Sequence, residues 1–404
     1  MSVAGRIVRN SSFQLADAVV SGILGLIMTG VLARYLGPQG YGQYALVMAI
    51  VPLFQFVSEW GVDQVALREI SRSRAEAGRI IANTVLLKVG PSLAAVALCW
   101  LVLFFSGYSA EVTAAARIYS LFLLAHVIGP VSLAFTADLR SEYLVFSDIL
   151  ATALNFLLLL AVVQLSGGLP SIFVAALVAV TVRETLGLYF ARRYVAIDFR
   201  LDRALCRRLL SQTPTFGVTR LLISLSGSIT LLLLSKLETD EALGLYGAAA
   251  RIPVMLVYVP TILTASLFPL LAARHASDRA GLRRLYVRGM ELVLMVVLPA
   301  VVGGWLVADQ LIGALFGGKF SAAVPVFQWL MVQWLCLSVG MLVSQTLVAV
   351  DGERLAAWLN AFVAGGLLIG GLVAIPAGGA LGAAVAASAV YALAMVVGLI
   401  VLAR

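Results

Sequence analysis

The chain has 404 residues, of which 62% are hydrophobic and only 12% charged, with a formal net charge of +8. Its mean hydropathy of +1.03 lies far outside the range of soluble domains, where charged residues alone make up about a quarter of the sequence. This composition excludes a soluble globular fold and predicts a polytopic membrane protein with no separate soluble domain.

Apolar runs of about 20 residues recur along the whole length, each long enough for a hydrocarbon core of about 30 Å. Arg6 and Arg9 precede the run from Phe13 to Leu32, which is longer than a signal-peptide core and reads as an uncleaved first helix. Cutting at polar and turn residues predicts about twelve helices. The first six cover approximately 11–33, 41–58, 80–105, 114–137, 146–165 and 171–191, and the second six 213–234, 243–271, 287–308, 322–350, 355–375 and 380–403. The division expected is a six-helix lobe over 1–191, a linker over 192–212 and a second six-helix lobe over 213–404. The linker carries Phe199, Leu201, Leu205 and Leu209 among Arg203, Arg207 and Arg208. That pattern fits either a short helix lying on the membrane surface, apolar side down, or a solvated hinge.

Of the 28 basic residues, twenty fall on one side of these spans and only Arg34, Arg117, Lys236 and Lys319 on the other. The bias predicts that both termini are cytoplasmic. It also makes the positive charge a topology signal rather than a nucleic-acid surface, since no aromatic binding platform accompanies it. The halves resemble each other: Gly42-Gln43-Tyr44-Ala45 recurs as Gly244-Leu245-Tyr246-Gly247, Ser73-Arg74 as Ser277-Asp278-Arg279, Trp100 as Trp305 and Asn155 as Asn360. A shared offset slightly above 200 positions predicts a parallel repeat with a cavity between two bundles. Prolines concentrate in the eighth predicted helix, at Pro253, Pro260 and Pro269, so that helix is the expected bent element.

Four cations, Lys88, Arg183, Arg220 and Arg251, sit in the middle of apolar stretches. Each costs roughly 2.5–3.5 kcal/mol at membrane depth if nothing compensates it. They should face a wet cavity, pair with an acid, or await an anionic cargo. Lys88, roughly 12 Å inside its helix, can snorkel part of the way. Arg183 has Glu184 beside it in sequence, but neighbours on a helix diverge, so Glu184 is not its expected partner. Arg220 and Arg251 flank the midplane on consecutive helices, where an arginine fork suits phosphate oxygens. Acids at depth are few: Asp17 is inside the first helix, while Glu59, Asp148 and Glu291 are nearer helix ends. Asp17 reads either as a structural partner or as a site for a coupling cation, H⁺ or Na⁺.

Catalysis finds no support in the residues. His126 and His275 stand apart from any triad or metal pattern, and His126 reads as a packing or cavity residue. Cys99, Cys206 and Cys336 give no disulfide or ligand spacing, and no phosphate-binding glycine loop occurs. No cofactor is expected beyond an ion gradient.

The first outer loop, Ala33-Arg34-Tyr35-Leu36-Gly37-Pro38-Gln39-Gly40-Tyr41-Gly42-Gln43-Tyr44-Ala45, followed by Gly61-Val62-Asp63-Gln64 and Arg68-Glu69, resembles bacterial polysaccharide biosynthesis proteins of the oligosaccharide flippase family. Leu315-Phe316-Gly317-Gly318-Lys319-Phe320 has a similar look. The resemblance implies an all-α, V-shaped, alternating-access transporter of the multidrug, oligosaccharidyl-lipid and polysaccharide exporter superfamily, in the bacterial inner membrane. It implies flipping of undecaprenyl-diphosphate-linked oligosaccharide to the periplasmic leaflet for O-antigen, capsule or exopolysaccharide assembly, with a glycan polymerase and assembly proteins as partners. In such a fold Asp17, Arg220 and Arg251 would be lumen candidates ahead of Lys88 and Arg183. The alternatives are a cation-coupled drug or metabolite exporter of the same superfamily, disfavoured by the excess of deep cations, and a membrane polymerase or glycosyltransferase, disfavoured by the short outer loops.

Overall fold

The computed structural model describes residues 3–138, 140–197 and 200–403; within its helices the side chains of 3–11, 15, 16, 214–216, 218–220, 223, 276, 277, 279 and 403 lie outside the description. The described residues form helices and no strand, as lipid demands, because a helix satisfies every backbone N–H and C=O within itself. In chain order these are α1 (Val3–Leu53), α2 (Gln55–Glu59), α3 (Val62–Arg72), α4 (Ala77–Ser106), α5 (Ala110–Ser120), α6 (Phe122–Ala125), α7 (Leu133–Ala137), α8 (Glu142–Gln164), α9 (Leu169–Tyr194) and α10 (Arg203–Ser211). There follow α11 (Pro214–Leu237), α12 (Asp240–Leu256), α13 (Tyr258–Ser277), α14 (Arg279–Leu306), α15 (Ala308–Phe316), α16 (Ala323–Ala349) and α17 (Glu353–Ala403). Among the described residues nine spans are long and apolar enough to cross a membrane.

The two longest helices are each divided by one glycine in a non-helical conformation. Gly37 (φ 67°) divides α1 and Gly379 (φ 53°) divides α17, in the positive-φ region that glycine enters without steric cost. Both pieces of α17 are then of membrane length, while the piece of α1 after Gly37 ends at Leu53 and α2 continues the span predicted over 41–58. Between Asp240 and His275 the helix is interrupted only locally at Val257, which keeps right-handed helical dihedrals and still donates its N–H to the Pro253 carbonyl four residues back. Pro260 has no N–H to give the Leu256 carbonyl four residues back, so a local interruption at the end of α12 follows from the sequence. Helix starts are capped: the Ser109 and Thr239 hydroxyls accept the amides of Val112 and Ala242, and the Asp278 carboxylate accepts that of Gly281.

The chain forms two compact units, one of residues 1–28 and 47–224 and the other of 29–46 and 225–404. Segment 192–212 belongs with the first unit, and the middle of α1 with the second. In the first unit, α9 packs against α5 and α8 while α4 packs against α2 and α3. In the second, α16 packs against α12, α13, α14 and α17, and its span is 56% buried, the central position of that bundle.

The amphipathic segment that reads as a surface helix or a hinge holds α10, and part of its apolar face is turned to protein. Leu205 and Leu209 are buried in one cluster with Val65, Ile80 and Ile81 of α3 and α4. Asp202 caps α10 through the amides of Ala204 and Leu205 and pairs with Arg79, while Asn83 bonds the Arg200 carbonyl and the Asp202 amide. Burying two leucines this way stabilises by about 3–6 kcal/mol, enough to hold the segment down. Leu201 and Leu210 stay exposed beside Arg203 and Arg207, and Phe199 lies outside the described residues.

Candidate functional site

In the first unit, several elements bring titratable side chains to one cavity of about 200 Å³. Asp63 comes from the first turn of α3, Lys88 from α4, His126 from the short 3₁₀ turn after α6, Asp148 from α8, and Arg183 and Glu184 from α9. Lys88, 1% exposed, places its Nζ 3.0 Å from Asp63 Oδ2. The Arg183 guanidinium pairs with the Asp148 carboxylate and, at 2.8 Å, with Glu184 Oε1. His126 Nδ1 stands 3.5 Å from the same Glu184 oxygen. Removing an ion from water costs several kcal/mol, and these pairings offset that cost.

Two findings differ from the sequence expectation. Lys88 does not snorkel; it is neutralised by Asp63 in the first turn of α3. Glu184 does pair with Arg183. Their Cα–Cβ bonds diverge by about 100°, but a long arginine stem curves round the helix until the tips meet. Asp148 and His126 join the same network, and 25 positions between Asp63 and Lys88 leave no helical spacing that would have disclosed their pairing.

Asp17 on α1 accepts a hydrogen bond from Ser21 at 2.9 Å and lies in the electrostatic field of Asp148 and Arg183. It makes no ion pair among the described residues. Glu59 also lines the cavity, so four carboxyl groups (Glu59, Asp63, Asp148 and Glu184) face two cations there. Asp63 Oδ1 and His126 Nδ1 are buried without a hydrogen-bond partner among the described residues, which leaves the cavity able to accept more.

Arg251, on α12 in the second unit, is different in kind. It is half-buried, its Nε has no hydrogen-bond partner, and it has no carboxylate partner among the described residues. Its field reaches the Tyr41 and Tyr44 hydroxyls of the α1 segment in that unit. Arg220 lies on α11 in the first unit, and its side chain is outside the described residues.

A family profile described as "Polysaccharide biosynthesis protein" matches residues 7–275. The chain belongs to this family. Two curated relatives match shorter stretches: teichuronic acid biosynthesis protein TuaB of Bacillus subtilis, 29% identical over 109 residues, and probable flippase AglR of Haloferax volcanii, 32% identical over 117. These matches take in 27% and 28% of this chain but only 22% and 24% of the relatives. In fold, this polysaccharide biosynthesis family member is similar to an inward-facing MATE family multidrug transporter of the MOP superfamily (TM-score 0.78, 17% identity, 95% of this chain and 96% of that one). It is equally similar to the lipid II flippase MurJ (TM-score 0.78, 14% identity, 97% and 87%). A MOP superfamily transporter of Pyrococcus furiosus follows at TM-score 0.70, 18% identity, and 98% and 94% coverage. The all-α membrane architecture of that superfamily is thereby the architecture of this chain.

Proposed function

We propose that this protein is a flippase for a lipid-linked glycan. It carries the undecaprenyl-diphosphate-linked oligosaccharide from the cytoplasmic to the periplasmic leaflet of a bacterial inner membrane, with both termini cytoplasmic. The product feeds O-antigen, capsule or exopolysaccharide assembly, where a polymerase takes it up. The observation that carries the reading is the family match over 7–275 on a chain with a MOP fold.

The site chemistry supports it in two ways. A diphosphate cannot enter hydrocarbon without something replacing its hydration. Arg251, without a carboxylate among the described residues, offers a rigid donor fork to phosphate oxygens; Arg220 is the second such cation by sequence position. In the first unit, Lys88 and Arg183 are already neutralised, so they act as exchangeable ion pairs rather than as a standing anion trap. Asp17, within the field of Asp148 and Arg183, is the group at which H⁺ or Na⁺ from the gradient would bias one state over the other.

A second reading is favoured by one observation. Four carboxyl groups against two cations in the first-unit cavity suit a small cationic cargo, as in a cation-coupled exporter. Deleting the gene and assaying lipid-linked glycan by leaflet separates the two. The flippase reading requires precursor to accumulate on the cytoplasmic leaflet and surface glycan to fall; a normal periplasmic supply would remove it.

A further inference from the structure

The second unit holds a cavity of about 210 Å³ that contains no charged side chain among its lining residues. Its polar wall is Ser226 and Thr230 of α11, Tyr246 of α12, Gln333 and Trp334 of α16, and Tyr391 of α17. Leucines, valines, Ala250, Pro253 and Gly227 make up the remainder. Trp334, 2% exposed and near the middle of α16, has a buried indole Nε1 with no acceptor among the described residues, and the neighbouring Gln333 has a buried Oε1 with no donor.

An unmade hydrogen bond at a buried polar atom costs about 1–3 kcal/mol, and the two residues that carry these atoms of opposite sense both line this cavity. A hydroxyl is the group that can answer either atom, since it donates to an amide oxygen and accepts from an indole N–H. The indole donor opposes a metal cation, and the lack of any charge opposes a phosphate. The aromatic and aliphatic walls require an apolar face on the same ligand. At about 210 Å³ the space is below the roughly 300–1,000 Å³ of pockets for drug-sized molecules. A hydroxylated ring with a C–H face is the class that meets all four conditions. The cavity opens past Gly227 and Val254, and Val254 is 58% exposed.

We propose that this cavity is a subsite for one neutral pyranose ring of the glycan cargo. The inference rests on the transport reading above, to which it adds the place where the sugar is recognised apart from the diphosphate.

The test uses the purified full chain in phosphatidylethanolamine/phosphatidylglycerol nanodiscs, titrated with free glucose, galactose, N-acetylglucosamine and rhamnose while tryptophan fluorescence is followed. At least one sugar should give a saturable change. Gly227→Leu plugs the mouth without removing any polar group, since a Cβ there meets nothing within 4 Å; it should abolish the change. Gln333→Leu should weaken binding roughly tenfold, and carries the test if the plugged variant does not fold. No saturable change with any of the four sugars in folded protein overturns the proposal. A change that survives Gly227→Leu, or one produced by sodium chloride alone, also overturns it. If lipid-linked glycan is still flipped while no sugar binds, only the subsite fails; if sugar binds and no flipping occurs, it is the transport reading that fails.

Discussion

Gly42 and Gly244 meet backbone to backbone. A Cβ on Gly42 would lie 1.9 Å from the Asp240 carbonyl oxygen, and one on Gly244 would lie 1.8 Å from that of Pro38. One offset of 202 positions relates Gly42 to Gly244, Pro38 to Asp240 and Ala45 to Gly247, and the last pair also touches, with a Cβ on Gly247 falling 2.8 Å from that of Ala45. The contact is reciprocal, residue by residue, as at a two-fold axis. The two copies of the Gly-x-Tyr repeat thus pack on each other, and glycine is required because no side chain fits between the two backbones.

Gly42→Ala and Gly244→Ala should therefore each destabilise the protein by about 1–3 kcal/mol or more, through overpacking against a carbonyl that cannot move aside. Gly90→Ala in α4, where a Cβ meets nothing within 4 Å, should be neutral or stabilising by up to about 1 kcal/mol. Thermal unfolding in detergent checks both; equal melting temperatures for Gly42→Ala and wild type would contradict the contact.

The Lys88–Asp63 pair should behave as a buried ion pair. Lys88→Met alone leaves Asp63 without its cation and should cost about 3–5 kcal/mol, whereas Lys88→Met with Asp63→Leu should recover most of it. A double-mutant cycle on unfolding midpoints measures the coupling. Additive single effects would mean that the pair is not formed.

Asp202 should give stability a pH dependence of known sign. The Leu205 amide, with Arg79 and the Ala204 amide, holds its carboxyl below the usual carboxylate range. A depressed pKa contributes stability that is present above the unfolded value of about 3.9 and lost as pH falls through the lower folded value. The melting-temperature gap between wild type and Asp202→Ala should be constant from neutral pH to about pH 4 and shrink below it. A gap that instead narrows toward high pH would contradict the assignment.

Much of this was legible in the sequence because membranes constrain it heavily. Span lengths, the all-helical class, the break at Gly37 and the 202-residue repeat all follow from composition and punctuation. The buried network was not legible. Lys88 finds Asp63 on another helix, and Arg183 reaches an adjacent glutamate by bending its own stem, neither of which leaves a periodic trace. Leu205 and Leu209 gave the right amphipathic pattern, but a pattern cannot say whether its apolar face covers lipid or protein, and here it covers α3 and α4.

Arg251 offers the sharpest separation of roles. With no carboxylate among the described residues to leave stranded, Arg251→Ala should keep the unfolding free energy within about 1 kcal/mol of wild type and lower transport by at least tenfold, whereas Arg251→Lys keeps the charge but loses the fork and should fall between them. Wild-type transport by Arg251→Ala would remove this arginine from the path of the cargo.

The most direct measurement is flipping itself, with the purified chain in proteoliposomes carrying a fluorescent undecaprenyl-diphosphate oligosaccharide and a membrane-impermeant quencher or enzyme reading the exposed leaflet. Wild-type protein should move the lipid between leaflets at a rate well above empty vesicles, and Arg251→Ala should not. Equal rates with and without the protein, beside uptake of a small cationic dye by the same vesicles, would contradict the flippase account and favour the cation exporter.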